Sequence, residues 1–411
     1  MKGCTAKLCR ILVTGMKRIN IVGVFPGMPI NPEAEKCIME SQVIFSGRRN
    51  LELIPQTPAQ IFNIGSMKQF TGDLANTLAD NKTVTVVASG DPLFFGIGKY
   101  ITEHYDSGDI YIVPEVSSLQ VALSRLGMDA SHMVAISLHG REIKGLAQKI
   151  RNKRKIAIFT DGNNTPSRIA EYMTSFGLVD YSSYVLERLG YKDESISKYK
   201  IKELIGKEFN DLNIMILIKD GNGKISLLDD GVLLRKNNNI TKKEIREISI
   251  SELDLNNGDT MWDVGSGSGS VAIYASLINP DGNIFAIEKD KALCNFIDEN
   301  MRKFSTDINI INGEAPEALD GIPDPEAVFI GGSSGNIKNI VKYCYVRLKD
   351  GGRMVANITT MENFYAMMNY IKENNLQFDV KQVNISRLKP VSVYTRFEPL
   401  DQIYIVKVVK K

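Results

Sequence analysis

Trp262-Asp263-Val264-Gly265-Ser266-Gly267-Ser268-Gly269 is the stretch whose residue types and spacing most clearly suit chemistry: an apolar run ends in three alternating glycines and opens into VAIYASLI. Glycines lacking a Cβ let backbone amides approach a ligand closely, as at the strand-to-helix turns that hold nucleotides. The same pattern can also be a plain tight connection. Glu288 ends the next strand-like run, IFAIE, where a carboxylate can accept both hydroxyls of a ribose. Gly313-Glu314-Ala315 follows the run INII and is placed to flank an adenine ring. A dinucleotide fingerprint, G-x-G-x-x-G, aims a helix N-terminus at a pyrophosphate. Here the third glycine comes too early, and Asp263 would repel a pyrophosphate while suiting the ammonium group of a methionine moiety. The ligand expected is S-adenosylmethionine rather than NAD.

A second constellation lies in the first half. Ala88-Ser89-Gly90-Asp91-Pro92-Leu93-Phe94-Phe95-Gly96 follows an apolar strand and is dense in turn-formers, yet too apolar for an ordinary surface loop. Val113-Pro114-Glu115-Val116-Ser117-Ser118 and Ser137-Leu138-His139-Gly140-Arg141 also stand at strand ends, where open α/β sheets hold ligands. His139 invites a general-base role, although a histidine in such a turn is more often a hydrogen-bonded structural residue. His104 and His132 have no cysteine or acidic company of the kind that holds a metal, and no protein-bound metal is expected. Trp262, the only tryptophan, is expected to pack the core.

The elements that must position these residues fall into two sets. From Ile19 the runs INIVGV, QVIF, TVTVVAS, DIYIV, KIAIFT and NIMILI alternate with amphipathic stretches, which predicts an α/β architecture with largely parallel sheets. Residues 221–239, rich in Gly, Asp, Asn and Lys, read as a linker. Beyond them MWDVG, IFAIE, INIIN, AVFIGG and RMVANI predict a Rossmann-like, doubly wound sheet. The closing VSVYTRFEP and QIYIVKVVK are expected as two joined strands on its antiparallel edge. The units expected are 18–220 and 240–411, behind a disordered extension over 1–17 in which Met16 is a candidate start.

Composition excludes several functions. At 411 residues the chain exceeds the size at which one core usually stops growing. Its 50 basic and 48 acidic residues nearly cancel with no long single-sign block, so neither nucleic acid nor a membrane surface is an expected partner. No apolar run approaches the roughly 20 residues that span a bilayer. Five scattered cysteines without a CxxC pair fit a reducing cytoplasm rather than a disulfide framework.

Two resemblances follow from these motifs. Ile240-Thr241-Lys242 with Glu244 and Arg246, then WDVGSGSGSV, VFIGGSSG and RLKPVSVYTRF, resemble the decarboxylating precorrin methyltransferases that modify C-15 of the corrin precursor, over residues 232–411. That resemblance implies donor contacts at Thr241, Gly265, Ser266, Gly267, Ser268, Gly269, Glu288, Glu314 and Ala315, with Gly331 and Gly332 at the mouth. Glu314 stands where Asp is usual. Over residues 18–220 the segment S-G-D-P-L, with Thr160-Asp161, Asn164-Thr165-Pro166, Glu187-Arg188-Leu189-Gly190, Glu194 and Asn213, resembles the tetrapyrrole methylase family, in particular its C-5 methylating member. This implies two α/β subdomains with a folded S-adenosylmethionine held by Asp91, Pro92, Leu93, Ser117, Ser118, Leu138, Thr160 and Asp161. In the first loop Phe25 and Met28 replace a glycine and an acid, and are expected to fill space and remove charge at the tetrapyrrole mouth.

Together the resemblances imply methylation of a reduced tetrapyrrole at C-5 and C-15, loss of the C-12 acetate as carbon dioxide, one donor per domain, and a homo-oligomer. Asp91, His139 and Arg387 are the candidates for a catalytic group. Arg387, Lys389 and Arg396 could grip peripheral carboxylates, with a solvated surface role as the alternative for each. The alternative for the whole is a methyltransferase acting on another small molecule, with the first half a binding or scaffolding module.

Overall fold

The computed structural model describes residues 19–221, 228–236 and 240–411. The expected extension, and parts of the expected linker, lie outside the described residues.

Strands β1 Ile19–Val24, β2 Val43–Ser46, β3 Gln60–Asn63, β4 Val84–Ser89 and β5 Ile110–Val113 form a parallel sheet in the order β3-β2-β4-β1-β5. Its central strands are covered on both faces, which is why INIVGV and VTVVAS read as near-continuous apolar runs. β6 Met133–Ser137, β7 Lys155–Phe159, β8 Tyr181–Glu187, β9 Ser195–Lys200 and β10 Asn213–Lys219 form a second sheet, ordered β6-β7-β10-β8-β9. Here the expectation of largely parallel pairing fails, because only β6 and β7 run parallel. The link from β8 to β9 is too short for a crossover, so the chain can only turn back on itself.

In the last part β11 Thr260–Val264, β12 Asn283–Glu288, β13 Asn309–Asn312, β14 Ala327–Ile330, β15 Arg353–Ile358 and β16 Gln377–Val383 precede a hairpin, β17 Ser386–Val391 and β18 Tyr394–Pro399, and then β19 Ile403–Val409. The sheet order is β13-β12-β11-β14-β15-β19-β16, parallel from β13 to β15. The two closing strands do not pair with each other as expected. β19 inserts antiparallel between β15 and β16, while β18 pairs with β17 in a separate hairpin. The register explains this: the apolar IYIV of β19 buries Ile405 and Val406 in the core, whereas β17 and β18 are exposed almost throughout.

The described part of the 221–239 stretch is packed. Leu228 and Leu233 are buried, and Asp230 sits 3.3 Å from the guanidinium of the fully buried Arg246. One apolar cluster runs through both halves, taking Leu146, Ile150, Met173 and Phe176 from the first and Ile250, Met301, Phe304 and Ile308 from the second. At that seam Asp307 accepts hydrogen bonds from Lys144 Nζ (3.1 Å), Gly145 N (2.9 Å) and Tyr172 OH (2.8 Å), and its own N–H donates to Gln148 Oε1 at 2.9 Å. Among the described residues no helix is long and apolar enough to cross a membrane.

Candidate functional site

The chain crosses to opposite sides of β11 on leaving it and on reaching β14, and the carboxyl ends of these strands part to leave a cleft of about 1110 Å³. Gly265 to Ser268, Glu288, Gly313 to Ala315, Gly331, Gly332 and Thr241 all line it, so the residues expected at a donor site are brought together. Gly265 has φ +69°, and a Cβ there would lie 2.5 Å from the carbonyl oxygen of Gly332. Two glycine loops therefore stand back to back, and only glycine lets them approach so closely. Gly269 is off the cleft wall. At φ +81° it begins the helix Ser270–Ile278, and a Cβ would come within 3.0 Å of the Ile297 side chain.

Glu288 is 8% exposed; its Oε2 accepts from Gly267 N at 2.8 Å and its Oε1 from Asp290 N at 2.9 Å. Each oxygen keeps a lone pair, so the carboxylate can shape the loop and still receive two ribose hydroxyls. Glu314 is exposed and ion-paired with Lys289 at 3.0 Å, while Ala315 is buried. These cleft-lining groups suit a nucleoside.

Asp263 is not among the residues that line the cleft. It is 1% exposed and turned away from the cleft, with Oδ2 accepting from Ser266 Oγ at 2.7 Å and Ala272 N at 3.0 Å. Burial pushes its carboxyl up to about 7 against those two hydrogen bonds, and Glu288 adds to the rise. It binds the glycine loop to the following helix through Oδ2 and keeps Oδ1 without a hydrogen-bond partner among the described residues.

Arg387 departs from expectation. Its Nε donates to Glu244 Oε1 at 3.0 Å and its Nη2 to Asp230 Oδ2 at 3.1 Å, so it ties the base of the hairpin to the segment that carries Thr241. Thr241 is fixed from below, its carbonyl accepting from Arg246 Nη1 at 2.9 Å. Lys389 and Arg396 both lie beside Glu398. Asn357, at the end of β15, lines the cleft with its side-chain nitrogen unpartnered. Sequence reasoning passed over it, although its strand-end place in RMVANI was the available signal.

In the first half the expected residues stand in the loops after β4, β5, β6 and β7, and Phe94 and Phe95 of the first of these loops pack on Phe159 at the end of β7. Gly90 N donates to Val24 O, and Asp91 Oδ1 accepts from Leu93 N, closing the turn after β4. Ser117 caps the helix Ser118–Leu126 reciprocally with Gln120. Thr160 Oγ1 bonds Asn213, and Leu138 is buried. Asp161 receives Gly140 N, Asn163 N and Asn164 N; burial raises its carboxyl, but these three N–H groups more than offset that and hold it below the usual range. His139 is exposed, its Nδ1 3.4 Å from the Thr160 carbonyl, and among the described residues no carboxylate is bonded to its ring. Phe25 does not fill the mouth. It is 6% exposed in a core cluster with Leu119, Leu186 and Leu189, while Met28 is 41% exposed. Among the described residues no group of three or more His, Cys, Asp or Glu side chains could hold a metal ion.

Two family models match separate parts of the chain. A model of the tetrapyrrole (corrin/porphyrin) methylases matches residues 18–205, and a model of the precorrin methyltransferase domain matches residues 233–410. A decarboxylating precorrin-6Y C(5,15)-methyltransferase of a Sinorhizobium species is 29% identical over 381 residues, 90% of each chain. A decarboxylating cobalt-precorrin-6B C(15)-methyltransferase of Salmonella typhi is 32% identical over 182 residues, 44% of this chain and 94% of that one. A crystal structure of a precorrin-6Y C5,15-methyltransferase from Geobacter metallireducens is 34% identical and covers 46% of this chain and 100% of its own, with a TM-score of 0.44.

Proposed function

The chain belongs to the decarboxylating precorrin-6Y C5,15-methyltransferases, a tetrapyrrole methylase domain followed by a precorrin methyltransferase domain, and on that footing we propose how its two halves divide the work. Its activity is methylation of precorrin-6Y at C-5 and C-15 with decarboxylation, in cobalamin biosynthesis, using S-adenosylmethionine. The first unit, 18–220, carries the C-5 reaction, and the second, 240–411, carries the C-15 reaction with loss of the C-12 acetate. Each binds one donor. The observation that supports this division is that the two sets of loops stand at strand ends of different sheets, one set framing a cleft of about 1110 Å³ and the other closed by turns at Asp91 and Asp161.

S-adenosylmethionine supplies a methyl group on an already charged sulfonium, so the residues' task is to align the partners and exclude water. In the second unit Gly265 to Ser268 provide backbone contact, Glu288 receives the ribose, Glu314 and Ala315 flank the adenine, and Thr241 adds a further donor contact. In the first, the turns at Asp91 and Leu93, at Ser117 and Ser118, and at Leu138, Thr160 and Asp161 form the corresponding cradle. The partner is a reduced tetrapyrrole. A homo-oligomer belongs to the same reading, supported by the hairpin Ser386–Pro399, where Leu388, Tyr394 and Phe397 are 60–77% exposed. So does a cytoplasmic location, supported by the free, buried thiols of Cys37, Cys294 and Cys344.

Incubation of the full chain with the reduced precursor, with and without cobalt, followed by mass spectrometry, tests the proposal. Two added methyl groups and loss of one carbon dioxide are expected, and the cobalt arms identify the form of ring accepted. A single methyl group, or retention of the carboxylate, would overturn it.

A further inference from the structure

A second recess, of about 510 Å³, opens between the loop after β6 and the loop after β7. Its walls are Gly140, Arg141 and Lys144 on one side, and Asp161, Asn164 and Arg168 on the other. The walls are fixed from behind. Asn164, 3% exposed, donates through Nδ2 to both the Leu138 and the Arg141 carbonyls at 2.9 Å, pinning the two loops together. The Asp161 carboxylate holds three backbone N–H groups, so its lone pairs are largely taken up within the protein.

The donors are differently placed. The guanidinium of Arg141 is exposed and makes no hydrogen bond or ion pair with any described residue. Arg168 gives one N–H to the Asn163 carbonyl at 2.9 Å and keeps the rest of its fork. Lys144 is held by Asp307 and leaves the two arginines as the available cations, while Glu142 on the rim is exposed to solvent. A recess whose acceptors are engaged and whose planar, multidentate donors are open suits carboxylates. Leu138 and Asp161, expected at the donor, border the same two loops, so a ligand edge seated here would lie beside the cradle of the first unit.

We propose that this recess is the subsite in which the C-5 reaction grips peripheral carboxylates of the tetrapyrrole, with Arg141 and Arg168 as the contacting groups. The assignment rests on the function proposed above. Its volume falls within the roughly 300–1,000 Å³ of pockets for small ligands, which suits one edge of a macrocycle.

The experiment uses the full chain carrying Arg141→Gln or Arg168→Gln, with reduced precorrin-6Y as substrate and each methylation followed separately by mass spectrometry. Each variant should raise the KM of C-5 methylation about tenfold with kcat little changed. Arg141→Lys should recover part of that loss. S-adenosylmethionine affinity by calorimetry should stay as in the parent, as should C-15 methylation, which reports on the fold of the same preparation. An unchanged C-5 KM in both variants would overturn the proposal. So would a weakened donor affinity in place of the KM effect, which would put the donor's own carboxylate in the recess. If the unsubstituted chain adds no methyl group at C-5, the functional reading itself fails, and that failure is visible without any variant.

Discussion

Asp263 shows how a side chain picked out by its place before a glycine loop acquires its surroundings only in the fold. Its carboxyl, lifted by burial to about 7, titrates well above the unfolded value of about 3.9. The fold therefore favours the protonated form: the contribution is complete below the unfolded value and disappears as pH rises through about 7. Between pH 8 and pH 6 it should add about 1 kcal/mol of stability, measured by urea unfolding at the two pH values. Asp263→Asn should flatten that difference, and a variant with the parent's full pH dependence would remove Asp263 as its source. The acid before a glycine loop was legible in the sequence. Its direction was not, because Ser266 and Ala272 compete for it only once the turn has formed. Phe25 follows the same logic, since its place in the core depends on strands far along the chain.

At the scale of elements, the glycine loop after β11 is a device for bringing two backbones together. Gly265→Ala would set a Cβ 2.5 Å from the Gly332 carbonyl oxygen, at a left-handed backbone position. The expected outcome is a loss of about 1–3 kcal/mol of stability and a fall from two bound donors per chain to one by calorimetry. Two donors bound by the variant with the parent's affinities would show that the loop does not form the second site. The strands on either side were readable from their β-branched runs and turn-formers, yet the partner of each closing strand was not. VSVYTRFEP and QIYIVKVVK are adjacent in sequence, but β19 gains more by burying Ile405 and Val406 between β15 and β16 than by pairing with β18. Arg387 likewise looked available for substrate until the fold set Glu244 and Asp230 against it.

For the whole molecule, the two halves meet in one apolar cluster, with Asp307 bonded across the seam. The hairpin β17–β18 leaves Leu388, Tyr394 and Phe397 exposed, and Leu388 and Phe397 lie opposite each other on one of its faces. Covering that face against a second copy accounts for the proposed oligomer, since a two-stranded ribbon alone is marginally stable. Phe397→Asp should shift the protein to a monomer in light scattering at micromolar concentration. A parent chain that is already monomeric there would refute the assembly.

The sequence by itself determined the α/β architecture of both halves, the strand ends at which the candidate residues stand, and the glycine loop, Glu288 and Gly313 to Ala315 of the cleft in the second. These depend on local pattern: hydrophobic period, turn chemistry, and glycines at fixed offsets from a strand. Only the tertiary structure decided which way Asp263 and Arg387 point, that Phe25 is core, that the closing strands separate, and that Arg141 and Arg168 share a recess. Each of those depends on partners distant in the chain, whose competition for a hydrogen bond or a buried position is settled only when the sheets and loops pack together.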